Sequence, residues 1–172
     1  NALLKIIEEP NENVFFILIN NSEKNILPTL KSRCLTFKIN LTFNNSIKIA
    51  NSILEKNVLE FVNYDLLSFY NSPGQIISLF NFAEEKSINL ENHTISSFIN
   101  LIIVNNYYKK NKTVKILLRN LIELFLLKKY LITNTKISLN NFYQKFIKKI
   151  HDTDKFNLDD ESLFLEFKSR LL

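Results

Sequence analysis

Glu8 and Glu9 stand side by side, an arrangement that invites a search for acid–base chemistry. Neighbouring positions on a helix point in different directions, and no base accompanies them. The pair therefore reads as surface or interface charge rather than as general acid and base. His93 and His151 lie far apart without ligand-like company, and Cys34 is the single cysteine. That pattern excludes a disulfide framework and a cysteine-rich zinc site within this chain, and no metal site is expected. Lysines gather at Lys109, Lys110 and Lys112, and again at Lys145, Lys148 and Lys149. Neither group carries the interleaved aromatic or Gly pattern of a nucleic-acid motif. Two residues remain. Asn20 ends an apolar run, where Asn is as much at home as a turn former. Arg33 sits in Leu27-Pro28-Thr29-Leu30-Lys31-Ser32-Arg33-Cys34, and an isolated Arg is usually a surface residue, here one that begins a strand.

The elements that would position these residues change character along the chain. Residues 1–9 read as a helix with an apolar face of Leu3, Leu4, Ile6 and Ile7, stopped by Pro10. Val14 to Ile19 is a continuous apolar run of strand length, as in a strand buried on both faces of a parallel sheet. Ile26 to Lys31 reads as a short helix containing Pro28, and Leu35 to Ile39 as a second short strand. Helix, strand, helix, strand is the pattern of an α/β layer. A sheet of that kind needs more strands, which are expected upstream. The chain has no Met and opens with Asn1 in mid-pattern, as expected of a piece of a longer protein.

From Ser46 onward the spacing predicts helices. Ile47, Ile49, Ala50, Ile53 and Leu54 share a face of one that runs to about Leu59, and Leu66 to Tyr70 make a shorter one. Ser72-Pro73-Gly74 starts a third, with Ser72 as cap and Pro73 in the first helical position. Four longer helices follow at about 91–108, 113–132, 138–151 and 159–171. The 113–132 helix is apolar almost all round, which predicts a central place in a bundle. Asp159 and Asp160 fall in the first turn of the last helix, where negative charge suits the helix dipole.

Composition agrees with a mostly helical chain. Among 172 residues, Gly occurs once and Pro three times, too few for an all-β fold rich in tight turns. Hydrophobic residues make up 46%, enough for a real core. The most apolar run, Val114 to Ile132, is broken by five charges, so no membrane span is expected and a cytoplasmic protein is. The formal charge of +5 fits a solvated surface first, and weak attraction to nucleic acid or an acidic partner second.

Several segments, in register, resemble the clamp-loader branch of the AAA+ family. Asn1-Ala2-Leu3-Leu4-Lys5 followed by Glu8-Glu9-Pro10 resembles the helix after the Walker B strand of bacterial clamp-loader subunits. Val14 to Ile19 with Asn20 resembles the sensor 1 strand, and Leu27 to Cys34 resembles the family's LPTxxSRC motif. Ser72-Pro73-Gly74-Gln75 resembles the start of the sensor 2 helix, with Gln75 where ATP-binding gamma/tau subunits usually carry Arg. Phe156-Asn157-Leu158-Asp159 resembles a segment common in delta-prime chains. Residues 88–152 match only in helical character.

The resemblance implies a mostly α chain: the C-terminal remnant of an AAA+ α/β core (1–40), a lid-like helical domain (41–87) and a helical collar that assembles subunits (88–172). It implies a delta-prime-type subunit of DNA polymerase III that helps load the sliding clamp onto primed DNA. Arg33 would be an arginine finger acting in trans, supported by Ser32 and Cys34, with Asn20 at sensor 1 and Gln75 at sensor 2. ATP and Mg would then be bound by the neighbouring subunit and not by this chain. Partners would be gamma/tau and delta subunits, the sliding clamp and primer-template DNA. No complete active site is legible in the chain by itself. Two other readings stay open: a gamma/tau-type ATPase subunit, which would need an upstream phosphate loop, and a non-enzymatic helical interaction module.

Overall fold

A computed structural model describes residues 5–7, 9, 11–19, 27–37, 39–67, 71–109, 111–132, 136–156 and 158–171. The backbone contacts divide the chain into two units, Asn1–Asn40 and Leu41–Leu172.

In the first unit, residues 5–7 are helical, and the Glu9 N–H donates to the Lys5 carbonyl at 3.0 Å. A turn follows in which Asn13 adopts φ 66°, a left-handed conformation that Asn tolerates better than most residues. Helix α1 is a single turn, Pro28–Lys31, with Pro28 at the first position, where its missing N–H costs nothing.

The two expected strands are not formed: among the described residues there is no strand. Residues 14–19 keep a strand-like alternation, with Phe15 at 90%, Ile17 at 87% and Ile19 at 93% exposure while Val14, Phe16 and Leu18 lie near half that. Leu35, Phe37 and Ile39 are exposed as well. A strand is defined by ladder hydrogen bonds to a neighbour, and no ladder joins these segments among the described residues. The apolar sequence encodes an affinity for a sheet, but the described residues supply no partner strand.

The second unit is helical throughout its regular elements, so the expectation of a mostly α chain is met. Helix α2 spans Phe43–Leu54, α3 Val58–Phe61, α4 Pro73–Glu85, α5 Ile95–Val104, α6 Lys112–Ile132, α7 Lys136–Phe156 and α8 Asp160–Leu171. Short 3-10 turns at Tyr64–Leu66 and Leu90–Asn92 lie between them. Thr42 caps α2 by accepting from the Asn45 N–H at 3.3 Å, and Thr94 caps α5 in the same way through Ser97.

Helix α2 ends at Leu54, about five residues short of the periodicity-based expectation. Glu55 turns left-handed at φ 53°, and the Asn51 side-chain oxygen accepts from the Val58 N–H at 2.9 Å, starting a separate turn. The expected helix at 91–108 is also shorter. It begins at Ile95 after the 3-10 turn and ends where Asn106 goes left-handed at φ 54°. Apolar periodicity continues across both breaks, which is why it conceals them.

Helix α6 packs against α4, α5 and α7, as its all-round apolar pattern predicts. Leu118 and Ile122 on it are fully buried, with Phe98 on α5, Phe146 on α7, and Phe164 and Phe167 on α8. Phe167 meets Phe125 and Phe146 at ring-centroid distances of 5.5 Å each, and Tyr108 meets Phe164 edge-on at 4.9 Å. Such edge contacts suit the ring quadrupoles and add to the area they bury. Asp159 starts α8 by accepting from the N–H groups of Glu161 and Ser162, both at 3.1 Å, and these bonds hold its carboxyl below the usual range. No helix among the described residues is long and apolar enough to cross a membrane.

Candidate functional site

Pro28 fixes the start of α1 and Ser32 closes its end, so Arg33 is placed two residues beyond a four-residue helix. The Ser32 N–H donates to the Pro28 carbonyl at 3.0 Å, and the Arg33 N–H reaches Leu30 at 3.1 Å. The chain therefore turns tightly, and Cys34 follows with its N–H 3.4 Å from the Lys31 carbonyl. Ser32 and Arg33 are exposed, while Cys34 is half-buried with its thiol free. The short strand expected just after Cys34 is not seen, because residues 35–37 form no ladder.

The Arg33 side chain folds back over the helix that precedes it. Its Nη1 donates to the Thr29 carbonyl at 2.6 Å and lies 3.4 Å from Ser32 Oγ. Ser32 Oγ donates to the same Thr29 carbonyl at 3.1 Å. Thr29 belongs to this cluster and was not singled out by sequence reasoning. A signal was present, since a helix beginning at Pro28 and ending at Lys31 leaves its carbonyls without helical partners. A planar, permanently charged guanidinium at an exposed turn is chemically suited to pairing with carboxylate or phosphate oxygens.

Gln75 belongs to the second unit, and its side chain is engaged in local structure. The Ser72 hydroxyl accepts from the Gln75 N–H at 3.3 Å, and Gln75 Oε1 accepts from the Ser72 N–H at 2.9 Å. This reciprocal pair is a capping box at the start of α4. The expected cap at Ser72 and first helical position at Pro73 are both present. Asn20 lies outside the described residues. Among the described residues no three His, Cys, Asp or Glu side chains come together as metal ligands would. His93 instead contacts Ser97 Oγ at 3.3 Å and the Phe98 ring at 5.8 Å between centroids.

Residues 1–42, which include the Arg33 turn, match the family described as DNA polymerase III, delta subunit. A DNA polymerase III subunit gamma of Buchnera aphidicola from Schizaphis graminum is 27% identical over 96% of this chain and 41% of its own length. The chain is thus similar to clamp-loader subunits of DNA polymerase III. A DNA polymerase III subunit gamma of Buchnera aphidicola from Acyrthosiphon pisum is 38% identical over 54% of this chain and 26% of its own length. A subunit delta' of Buchnera aphidicola from Baizongia pistaciae is 36% identical over 37% of this chain and 23% of its own. The chain thus spans well under half the length of the curated relatives it matches. No solved structure matches.

Proposed function

We propose that this chain is the C-terminal portion of a delta-prime-type clamp-loader subunit that lends Arg33 to the ATP site of a neighbouring subunit. The observation that carries the reading is the exposure of Ser32 and Arg33 in the turn at the end of α1. Charge on a phosphoryl group in transfer is spread over its outer oxygens, and a guanidinium inserted from a neighbour stabilises it without entering the chemistry. Gln75 supports the same reading from the other unit. Its head group closes a capping box, and an amide in place of a guanidinium gives no cation for a phosphate at that position.

On this reading residues 1–40 are the end of an AAA+ core, residues 41–87 the lid and residues 88–172 the collar through which subunits assemble. The chain binds no nucleotide itself; ATP and Mg reside in gamma/tau neighbours. With delta and the sliding clamp they act on primer-template DNA in the cytoplasm. The exposed apolar Ile116 and Leu165 belong to the proposed collar, as expected of surfaces that become covered on assembly.

Arg33→Ala in the complete protein, assembled with its ATPase partner, tests the reading. DNA- and clamp-stimulated hydrolysis should collapse while assembly persists; unchanged hydrolysis refutes the finger. The gamma-named relatives favour a second reading, a subunit that hydrolyses ATP itself. Hydrolysis by the complete protein without any partner would support that reading instead.

A further inference from the structure

The backbone of the Arg33 turn passes over one carbonyl. Ser32 donates its N–H to Pro28 and Arg33 donates to Leu30, while the carbonyl of Thr29 takes two side chains. Ser32 Oγ reaches it at 3.1 Å and Arg33 Nη1 at 2.6 Å. We propose that this contact is a parked position of the Arg33 guanidinium. Ser32 is the positioning residue whose hydroxyl keeps the Thr29 carbonyl bonded when the guanidinium leaves for a phosphate oxygen. The inference rests on the finger reading above and adds how the finger is held and released.

The Thr29 carbonyl oxygen carries only a partial negative charge and holds a cation modestly. A phosphate oxygen with a full charge pulls harder, so the parked contact yields when a nucleotide is presented. Departure strips Thr29 of its charged donor. The Ser32 hydroxyl is already aimed at that carbonyl and takes over without moving. Its contact with Arg33 Nη1, at 3.4 Å, is too long to tether the guanidinium strongly. Removing the hydroxyl therefore shifts Arg33 toward the parked state rather than toward release. Water reaches this exposed turn and replaces part of the lost bond, which keeps the effect moderate.

The test uses the complete protein assembled with its ATPase partner, DNA and sliding clamp, and measures hydrolysis over a range of ATP concentrations. Ser32→Ala should lower kcat about two- to five-fold at unchanged KM for ATP, and Ser32→Thr should restore it. Because Ser32 is exposed, neither change disturbs packing. If Ser32→Ala hydrolyses as fast as the unmodified assembly or faster, while Arg33→Ala is inactive, the parked position is refuted and the finger stands. A Ser32→Thr variant as slow as Ser32→Ala also refutes it, because the hydroxyl is then not what matters. If Arg33→Ala itself keeps full activity, the finger reading falls and the parked position falls with it.

Discussion

Arg119 on α6 and Asp160 in the first turn of α8 form an ion pair in which each side chain retains only 10% of its exposure. Lys115, one turn earlier on α6, reaches the other Asp160 oxygen at 2.6 Å. Asp160 thus anchors the last helix to the central one at the point where Asp159 caps it. Charges this far from water are costly unless matched, and here Asp160 meets two cations of α6.

Replacing Asp160 with Ala would leave the Arg119 guanidinium in a largely dry site without its carboxylate. The expected loss is about 3 kcal/mol, the lower end for breaking a buried pair, because Lys115 sits nearer to water. Urea unfolding followed by circular dichroism checks it. A midpoint close to that of the unmodified chain would mean that Phe164 and Phe167 dock α8 by themselves.

Asp65 joins three elements. Its carboxylate accepts from the Ile95 N–H at 2.7 Å, at the start of α5, and from Lys128 Nζ on α6 at 3.0 Å. Burial alone would raise its pKa, but the Ile95 bond and the Lys128 ammonium outweigh burial and hold it below the ordinary value. A carboxylate depressed in the folded state contributes stability above its unfolded pKa, near 3.9, and loses it as pH falls through the lower folded value. Asp65→Asn should therefore be less stable at neutral pH and show a shallower decline below about pH 4. Acid titration of thermal stability tests this. Parallel curves for the two proteins would remove Asp65 from the account. The side chain is more than a third exposed, so the effect is screened and modest.

Much of the helical half was legible because apolar spacing maps directly onto buried faces. Val114, Leu117, Leu118, Leu121 and Ile122 were readable as the centre of a bundle and are buried there. The breaks at Glu55 and Asn106 were not legible, since a left-handed residue interrupts a helix without interrupting its hydrophobic pattern. Val14 to Ile19 misled in the opposite sense, because composition announces a strand but says nothing of its partner. At the candidate site, Arg33 and Ser32 were visible as residue types in a motif. The Thr29 carbonyl was invisible because it belongs to the backbone, and side-chain identity carries no record of it. Gln75 was read as an absent Arg, when its own contribution is to the cap.

The capping box gives a graded prediction. Ser72→Ala removes the hydroxyl that accepts from Gln75 and should cost about 1 kcal/mol. Gln75→Ala leaves that bond and removes only the return bond to the Ser72 N–H, so it should cost less. Gln75→Glu should preserve the box, since Glu serves at this position equally well. Thermal melts of the three variants establish the order. A Gln75→Ala variant worse than Ser72→Ala would show that Gln75 has a further partner.

Arg33→Lys separates charge from shape at the proposed finger. A lysine keeps the positive charge but presents a compact ammonium in place of a planar fork, and it cannot bridge two phosphoryl oxygens in the same plane. If charge alone mattered, the Lys variant would retain most of the stimulated hydrolysis of the assembled complex. If the fork matters, the loss should approach that of Arg33→Ala, on the order of a thousandfold for an arginine supplied in trans. The second outcome is expected, because the transferring phosphoryl group spreads its charge over several oxygens at once. Assembly should survive both changes, since Arg33 is exposed. Single-turnover hydrolysis with saturating partner and clamp measures the chemical step directly. A lysine variant that matched the unmodified rate would reduce Arg33 to a docking charge.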